Sequence, residues 1–181
     1  METKEFEQFV ASQQEQVGTE TDWAQERDGW LGELQSLYER IIGFLQPYID
    51  AGSISYSFAD VELTEPEIGT YVAKRMDIRI GKQRISLVPV GTLLIGCKGR
   101  VDAEGPAGSA QLLLVNERAR SAADLVKVKV SVASGGQLPL APPEEVHTSW
   151  AWKIVARTAP PTFVGLDKGS FFDLLREVAN D

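Results

Sequence analysis

The chain has 181 residues, and its 26 acidic and 18 basic side chains give a net charge of −8. No apolar run approaches the ~18 residues of a membrane span, so we expect no membrane association. A single cysteine excludes an intramolecular disulfide, and the acidic start lacks the pattern of a signal peptide, so we expect a cytoplasmic protein. We interpret residues 1–181 as one domain, with a helical extension at 1–21 and an α+β body at 22–181.

The first third of the chain has the apolar spacing of helices. Residues 3–17 form a short amphipathic segment, which predicts the helix of the N-terminal extension. A broader stripe follows, in which apolar residues recur three and four positions apart: Trp30, Leu34, Leu37, Ile41, Phe44 and Tyr48. This stripe predicts a helix over residues 22–49 that packs on a sheet, with Asp22 as N-cap. Pro47 should kink or end it near Gln46.

From Ser53 the apolar period changes from 3.6 to 2, which predicts β-strands. The apolar phase shifts within the first strand, so we expect a bulge at Ala59–Asp60 that keeps one face buried. The next strand, residues 71–80, should bury one set of alternate side chains, namely Val72, Met76, Ile78 and Ile80.

Gly81-Lys82 has the residue types of a two-residue hairpin turn. Such a turn places Ile78 opposite Ile85 and Arg79 opposite Arg84. The turn chemistry and the apolar register agree, which favours this hairpin.

The rest of the chain predicts further strands and a closing helix. Strand patterns cover residues 92–104, 111–115, 126–132 and 148–157, with a short helix at 117–124, a loop at 134–143 and bends at Gly96 and Gly99. Ser170 and Asp173 have capping-box spacing before an apolar helical face. The predicted fold class is α+β, with two N-terminal helices, a six- to seven-stranded mainly antiparallel sheet and one C-terminal helix.

The charges are sorted along the chain. Residues 1–70 carry 3 basic and 15 acidic side chains, whereas residues 74–100 carry 7 basic side chains and one acid, Asp77. In the predicted hairpin Arg75, Arg79 and Arg84 share one sheet face, and Arg100 lies on a neighbouring strand. The face is either a solvated surface or a docking site for an acidic protein partner, and these four arginines are our predicted contact residues. The net negative charge disfavours nucleic acid.

The sequence contains no pattern that assigns catalytic, cofactor or metal-binding residues. His147 is the only histidine and has no nucleophile signature nearby, and one histidine with one cysteine, Cys97, is too few for a structural zinc site. Neighbouring acids at Glu65 and Glu67, at Asp102 and Glu104, and at Glu144 and Glu145 are typical of solvated turns.

Two classes of function remain open. The first is a non-catalytic protein-binding module, meaning an accessory, adaptor, chaperone-like or toxin-neutralising protein that needs no cofactor. The alternative is a small-molecule-binding or enzymatic domain with a pocket between helix 22–49 and the sheet. Oligomeric state does not follow from the sequence.

Overall fold

A computed structural model of the chain describes residues 22–92, 96–125, 149–156 and 160–180. Its helices are α1 (Trp23–Asp50) and α2 (Lys168–Ala179), and its strands are β1 (Ile54–Glu65), β2 (Gly69–Ile80), β3 (Gln83–Gly91), β4 (Cys97–Gly105), β5 (Gly108–Asn116), β6 (Trp150–Ala156) and β7 (Thr162–Gly165). The seven strands form one antiparallel sheet in chain order.

The α+β class is therefore confirmed. The described structure has one N-terminal helix rather than the two predicted. The helix predicted at 3–17, the strand at 126–132 and the loop at 134–143 lie outside the described residues.

Helix α1 begins as the sequence predicts, because the Asp22 side chain accepts a hydrogen bond from the Gln25 backbone N–H at 3.1 Å. It continues through Pro47 to Asp50, so of the two predicted effects of Pro47, a kink or an end near Gln46, the end is wrong. Proline withdraws one N–H from the helix, and the carbonyl left without it belongs to Gly43, four residues earlier. Gly43 is exposed, so water can hydrogen-bond to that carbonyl.

Both helices pack on the same side of the sheet and enclose the main core. Most of the predicted core residues are buried, among them Leu34, Leu37, Ile41, Ile78 and Ile85, and Trp152 of β6 joins them, whereas Tyr48 at the end of the stripe is 42% exposed. The Trp30 and Trp152 rings lie 6.1 Å apart, and Phe44 of α1 meets Phe171 of α2 at 6.2 Å. Burying each large apolar side chain contributes about 1.5–3 kcal/mol, so this single contiguous core dominates the stability of the fold.

Strand β4 comes unusually close to α1 at Gly99. A Cβ atom there would lie 2.1 Å from Cζ3 of Trp30, so only glycine lets the indole pack directly on the strand backbone. The β4–β5 register also shifts between Cys97 and Gly99, which confirms the irregularity expected near this glycine.

The hairpin at Gly81-Lys82 is confirmed in every pair predicted, with Ile78 opposite Ile85 and Arg79 opposite Arg84. The predicted bulge at Ala59–Asp60 is wrong, because β1 and β2 pair without a break over their whole length.

Instead, the set of alternate side chains that is buried changes along both β1 and β2, from one parity of residue number to the other. Tyr71 and Ala73 are buried in the first part of β2 and Met76 and Ile78 in the second, while Val72, predicted to be buried, is 54% exposed. Only Met76–Ile80 of β2 pairs with β3, so the first part of β2 forms a two-stranded ribbon with β1. Two-stranded ribbons generally twist more strongly than wide sheets, and we attribute the turn of the odd-numbered side chains toward the core to such a twist.

The end of the chain adds a strand that the sequence pattern missed. Strand β6 matches the prediction for 148–157 over the residues that are described. After Pro161 the chain forms β7, which pairs with β6. The capping box of α2 is formed by Asp167 and Ser170 rather than by Ser170 and Asp173. Its Ser170 N–H donates to the Asp167 side chain at 2.8 Å.

The outer face of the sheet, away from the helices, is divided in two. Over β5–β7 a small apolar cluster of Leu113 and Val115 is covered by Ala119 and Leu125 from the segment that follows β5. That segment contains a helical turn at 122–125, at the end of the short helix predicted at 117–124. Over β2–β4 the outer face carries charged and polar side chains, and the predicted contact residues lie there.

Candidate binding surface

Strand alternation places the arginines on the outer face of the central strands. Arg75, Asp77 and Arg79 of β2 point away from the core that buries Met76 and Ile78. We call the surface formed by Arg75, Asp77, Arg79, Lys82, Arg84 and Ser86 the basic face.

Asp77 is the centre of the basic face. Its carboxylate accepts hydrogen bonds from Arg75 Nη2 at 2.9 Å, from Arg84 Nη2 at 2.8 Å and from the Ser86 hydroxyl at 2.6 Å. The residue is only 8% exposed. Ser86 was not singled out in the sequence, although the predicted register already put it directly across from Asp77.

The charge environment keeps Asp77 ionised. Burial opposes the charged form, but the hydrogen bonds from Arg75, Ser86 and Arg84 outweigh it and hold the pKa of the Asp77 carboxyl below its usual value. Arg84 reaches diagonally to Asp77, which relieves the like-charge repulsion expected from its position opposite Arg79.

The arginines keep donors available for a ligand. Arg75 and Arg84 each reach Asp77 through a single nitrogen, and the Arg84 side chain is 54% exposed. Arg79 is exposed and forms no salt bridge with an acid of the described residues. Arg75 and Arg84 also line a shallow depression of about 530 Å³, and its lining includes Glu104 and Pro106.

The fourth predicted contact residue, Arg100, is differently placed. Its guanidinium forms a two-pronged pair with Asp102, with Nε–Oδ1 at 2.7 Å and Nη2–Oδ2 at 2.8 Å. Arg100 therefore has a local partner of opposite charge. The structure brings together Arg75, Arg79 and Arg84, and it leaves Arg100 outside the group.

The structure also bears on residues that the sequence analysis weighed as possible catalytic or metal-binding groups. Burial raises the pKa of the Cys97 thiol, which disfavours the nucleophilic thiolate at neutral pH. Glu65, predicted to be a solvated turn acid, is buried, and it accepts hydrogen bonds from the Tyr71 hydroxyl and from the backbone N–H and hydroxyl of Thr92 at 2.9 and 2.8 Å. His147 and the acids Glu144 and Glu145 lie outside the described residues.

A second concave surface lies on the other side of the sheet, between α1 and the β1–β2 ribbon. This groove has a volume of about 630 Å³, and its lining includes Leu31, Tyr38 and Ile42 of α1, Phe58 of β1 and Val72 of β2. The Tyr38 hydroxyl is committed to structure, since it donates to the Lys74 carbonyl at 2.6 Å. A pocket between this helix and the sheet was part of the alternative function left open by the sequence, which did not predict the exposure of Phe58 and Val72.

Comparison with known proteins found no family model, no curated protein and no solved structure that matches the chain. Across the described ranges, no helix combines the length and apolar character that crossing a bilayer requires. No group of three or more histidine, cysteine or acidic side chains that could hold a metal ion occurs in the same ranges.

Proposed function

We propose that the chain is a non-catalytic protein-binding module that uses its basic face to bind an acidic segment of a partner protein. The observation that supports this most directly is that Arg75 and Arg84 both bind one nearly buried carboxylate, Asp77, while Arg79 lies opposite Arg84 on the same face. Asp77 fixes two guanidinium groups in place, so less side-chain entropy is lost when a ligand binds them.

The chemistry of the face favours carboxylate ligands. A guanidinium presents a planar fork of N–H donors that matches a carboxylate with two hydrogen bonds. Arg79, between Ser55 of β1 and Arg84 of β3, is the arginine whose donors are most open to such a partner. Glutamate or aspartate side chains spaced along an extended segment would meet the arginines in turn. A phosphate backbone also binds arginine, but the acidic remainder of the chain repels it at longer range.

The test is affinity capture from the native host with full-length protein, followed by mass spectrometry of the proteins retained. We expect Arg79→Ala to lose a partner that the unmodified chain retains, and binding of that partner to weaken as salt rises, because exposed charges are screened. Arg176→Ala is the matched control. Arg176 is an exposed arginine on α2, which packs on the side of the sheet opposite the basic face, and its side chain pairs with Asp173.

Two outcomes would contradict the proposal. One is a partner that binds the Arg79→Ala and Arg84→Ala variants as tightly as the unmodified protein at low salt. The other is loss of binding to the same extent in Arg176→Ala, which would show that net charge rather than the basic face determines binding.

A second candidate function is small-molecule binding in the groove between α1 and the β1–β2 ribbon. Its volume falls in the usual range of ligand pockets, roughly 300–1,000 Å³. An apolar ligand would raise the melting temperature of the unmodified chain but not that of Phe58→Ser. A screen in which apolar fragments leave both proteins unchanged would count against this function.

A further inference from the structure

The two described helices leave one part of the sheet open. Helix α2 contacts strands β3–β6, whereas the groove opens between α1 and the β1–β2 ribbon. In its lining Phe58 is 44% exposed and Val72 is 54% exposed, and Leu31 and Ile42 are only partly buried. A further helix laid in the groove would extend the helical layer over the ribbon and bury this apolar surface.

The chain has a segment of matching pattern directly before α1. Residues 1–21 lie outside the described residues, so the argument rests on their sequence. On a helix the apolar side chains of segment 3–17 share an arc of about 100°, and they are Phe6, Phe9, Val10 and Val17. The acids of the segment fall outside this arc, at Glu5, Glu7 and Glu15.

The short connection to α1 determines where such a helix can lie. Residues 18–21 separate segment 3–17 from Asp22, the N-cap of α1. A connection of this length is typical of two antiparallel helices that pack side by side. The segment is therefore expected to run back along α1.

The positions along the two helices also agree. Counting back eight residues from the end of segment 3–17 gives Phe9, and counting on eight residues from the first residue of α1 gives Leu31. An antiparallel helix therefore brings Phe9 to the level of Leu31 and, by the same count, Phe6 to the level of Leu34. Both leucines line the groove.

The covalent connection favours this segment over a separate partner. A short connection holds a tethered group at an effective concentration of the order of millimolar, so that even weak packing fills the groove. The charges of the groove favour no ionic ligand. Its lining holds one acid, Glu39, and one base, Lys74, which pairs with Asp60.

We propose that segment 3–17 occupies the groove as a helix antiparallel to α1, with Phe6 and Phe9 packed against Leu31, Leu34 and Val72. The groove is then an internal docking site, and a small molecule enters it only by displacing the segment. This inference does not depend on the basic face, which lies on the other side of the sheet.

Photo-cross-linking of the full chain tests the location. The photoreactive residue benzoylphenylalanine replaces Phe9 in one protein and Gln8, which lies outside the apolar arc, in the control. After irradiation and digestion, mass spectrometry identifies the joined peptides. We expect the probe at position 9 to join α1 between Leu31 and Ile42, or β2 near Val72, within one chain. The probe at position 8 should give at least fivefold less of these products.

A double-mutant cycle tests the contact itself. Phe9→Ser and Val72→Ser should each lower the melting temperature of the full chain by about 2 °C or more, since each removes apolar burial. The double variant should lose less than the sum of the two shifts, because both changes break the same contact. Val164→Ser is the control. Val164 is 44% exposed on β7, at the opposite edge of the sheet, so its shift should add in full to that of Phe9→Ser.

Any of four results would overturn the proposal. The first is a probe at position 9 that joins no residue of the groove, and the second is an equal yield from the probe at position 8. The third is full additivity of Phe9→Ser and Val72→Ser. The fourth is a cross-link between two chains, seen as a dimer band in denaturing electrophoresis, which would show that a second copy supplies the segment.

Discussion

Replacing Asp77 with asparagine should destabilise the fold at neutral pH by an amount that the geometry of the basic face determines. The amide keeps one acceptor oxygen but loses the negative charge that Arg75 and Arg84 share. Exposed ion pairs contribute up to about 1 kcal/mol each, and these arginine side chains are 30% and 54% exposed. We therefore expect Asp77→Asn to lower the free energy of unfolding by about 1–2 kcal/mol at pH 7.

The size of this loss should depend on pH. Because the folded pKa of Asp77 lies below its unfolded value, the charge stabilises the fold fully above the unfolded pKa of about 3.9. That stabilisation is lost as pH falls through the folded pKa. The difference between the unmodified chain and Asp77→Asn should therefore shrink progressively below pH 4.

Urea denaturation followed by tryptophan fluorescence, at pH 7 and at several lower pH values, measures both quantities. Asp173→Asn is the matched control, because Asp173 also pairs with an arginine but is 73% exposed, and it should change stability by less than about 0.5 kcal/mol. A difference for Asp77→Asn that stays constant from pH 7 to pH 3 would refute the reasoning, since the effect would then not come from the charge.

Three further predictions concern the core and the thiol. Leu37→Ala should lower the free energy of unfolding by about 2–5 kcal/mol in urea titrations, since the Leu37 side chain of α1 is buried in the main core. A loss below about 1 kcal/mol would contradict that packing. Gly99→Ala should destabilise by about 1–3 kcal/mol and shift tryptophan emission, because the added methyl group collides with Trp30; unchanged emission and melting temperature would disprove the close approach. Cys97 should react slowly with a thiol reagent at pH 7 and rapidly in urea, because burial raises its pKa, and equal rates would show an open thiol.

The parts of the fold that the sequence predicted well are those where two local signals agree. At Gly81-Lys82 the turn residues and the apolar alternation demand the same register, and every pair is as predicted. The prediction of which side chains are buried in the β1–β2 ribbon was wrong for a physical reason. Alternation identifies which side chains share a face, but it does not show how far a ribbon twists beyond the last strand that pairs with it. We attribute the burial of Tyr71 and the exposure of Val72 to that twist.

In the candidate site, too, one part could be predicted from the sequence and another part could not. The register alone was enough to put Arg75, Arg79 and Arg84 on one face. It could not show that Asp77 binds two of them while Arg100 forms its own pair with Asp102, because that depends on side-chain rotamers and burial. The burial of Glu65 was also beyond sequence reasoning, since its partner Thr92 is brought close only by the tertiary fold.

The order of strands in the sheet has a consequence for how the chain folds. Each strand pairs with its neighbours in sequence, so the hairpins from β1 to β5 can form and join one after another, whereas the pairing of β5 with β6 must close the long connection over residues 117–149. A low mean sequence separation of contacts favours rapid folding. Helix α1 is the exception, because Trp30 finds Trp152 only after the sixth strand has been added. During synthesis the apolar stripe of α1 would leave the ribosome long before the strand that completes its cover. Tryptophan fluorescence of this pair should therefore report a late step of folding, after the first five strands have paired.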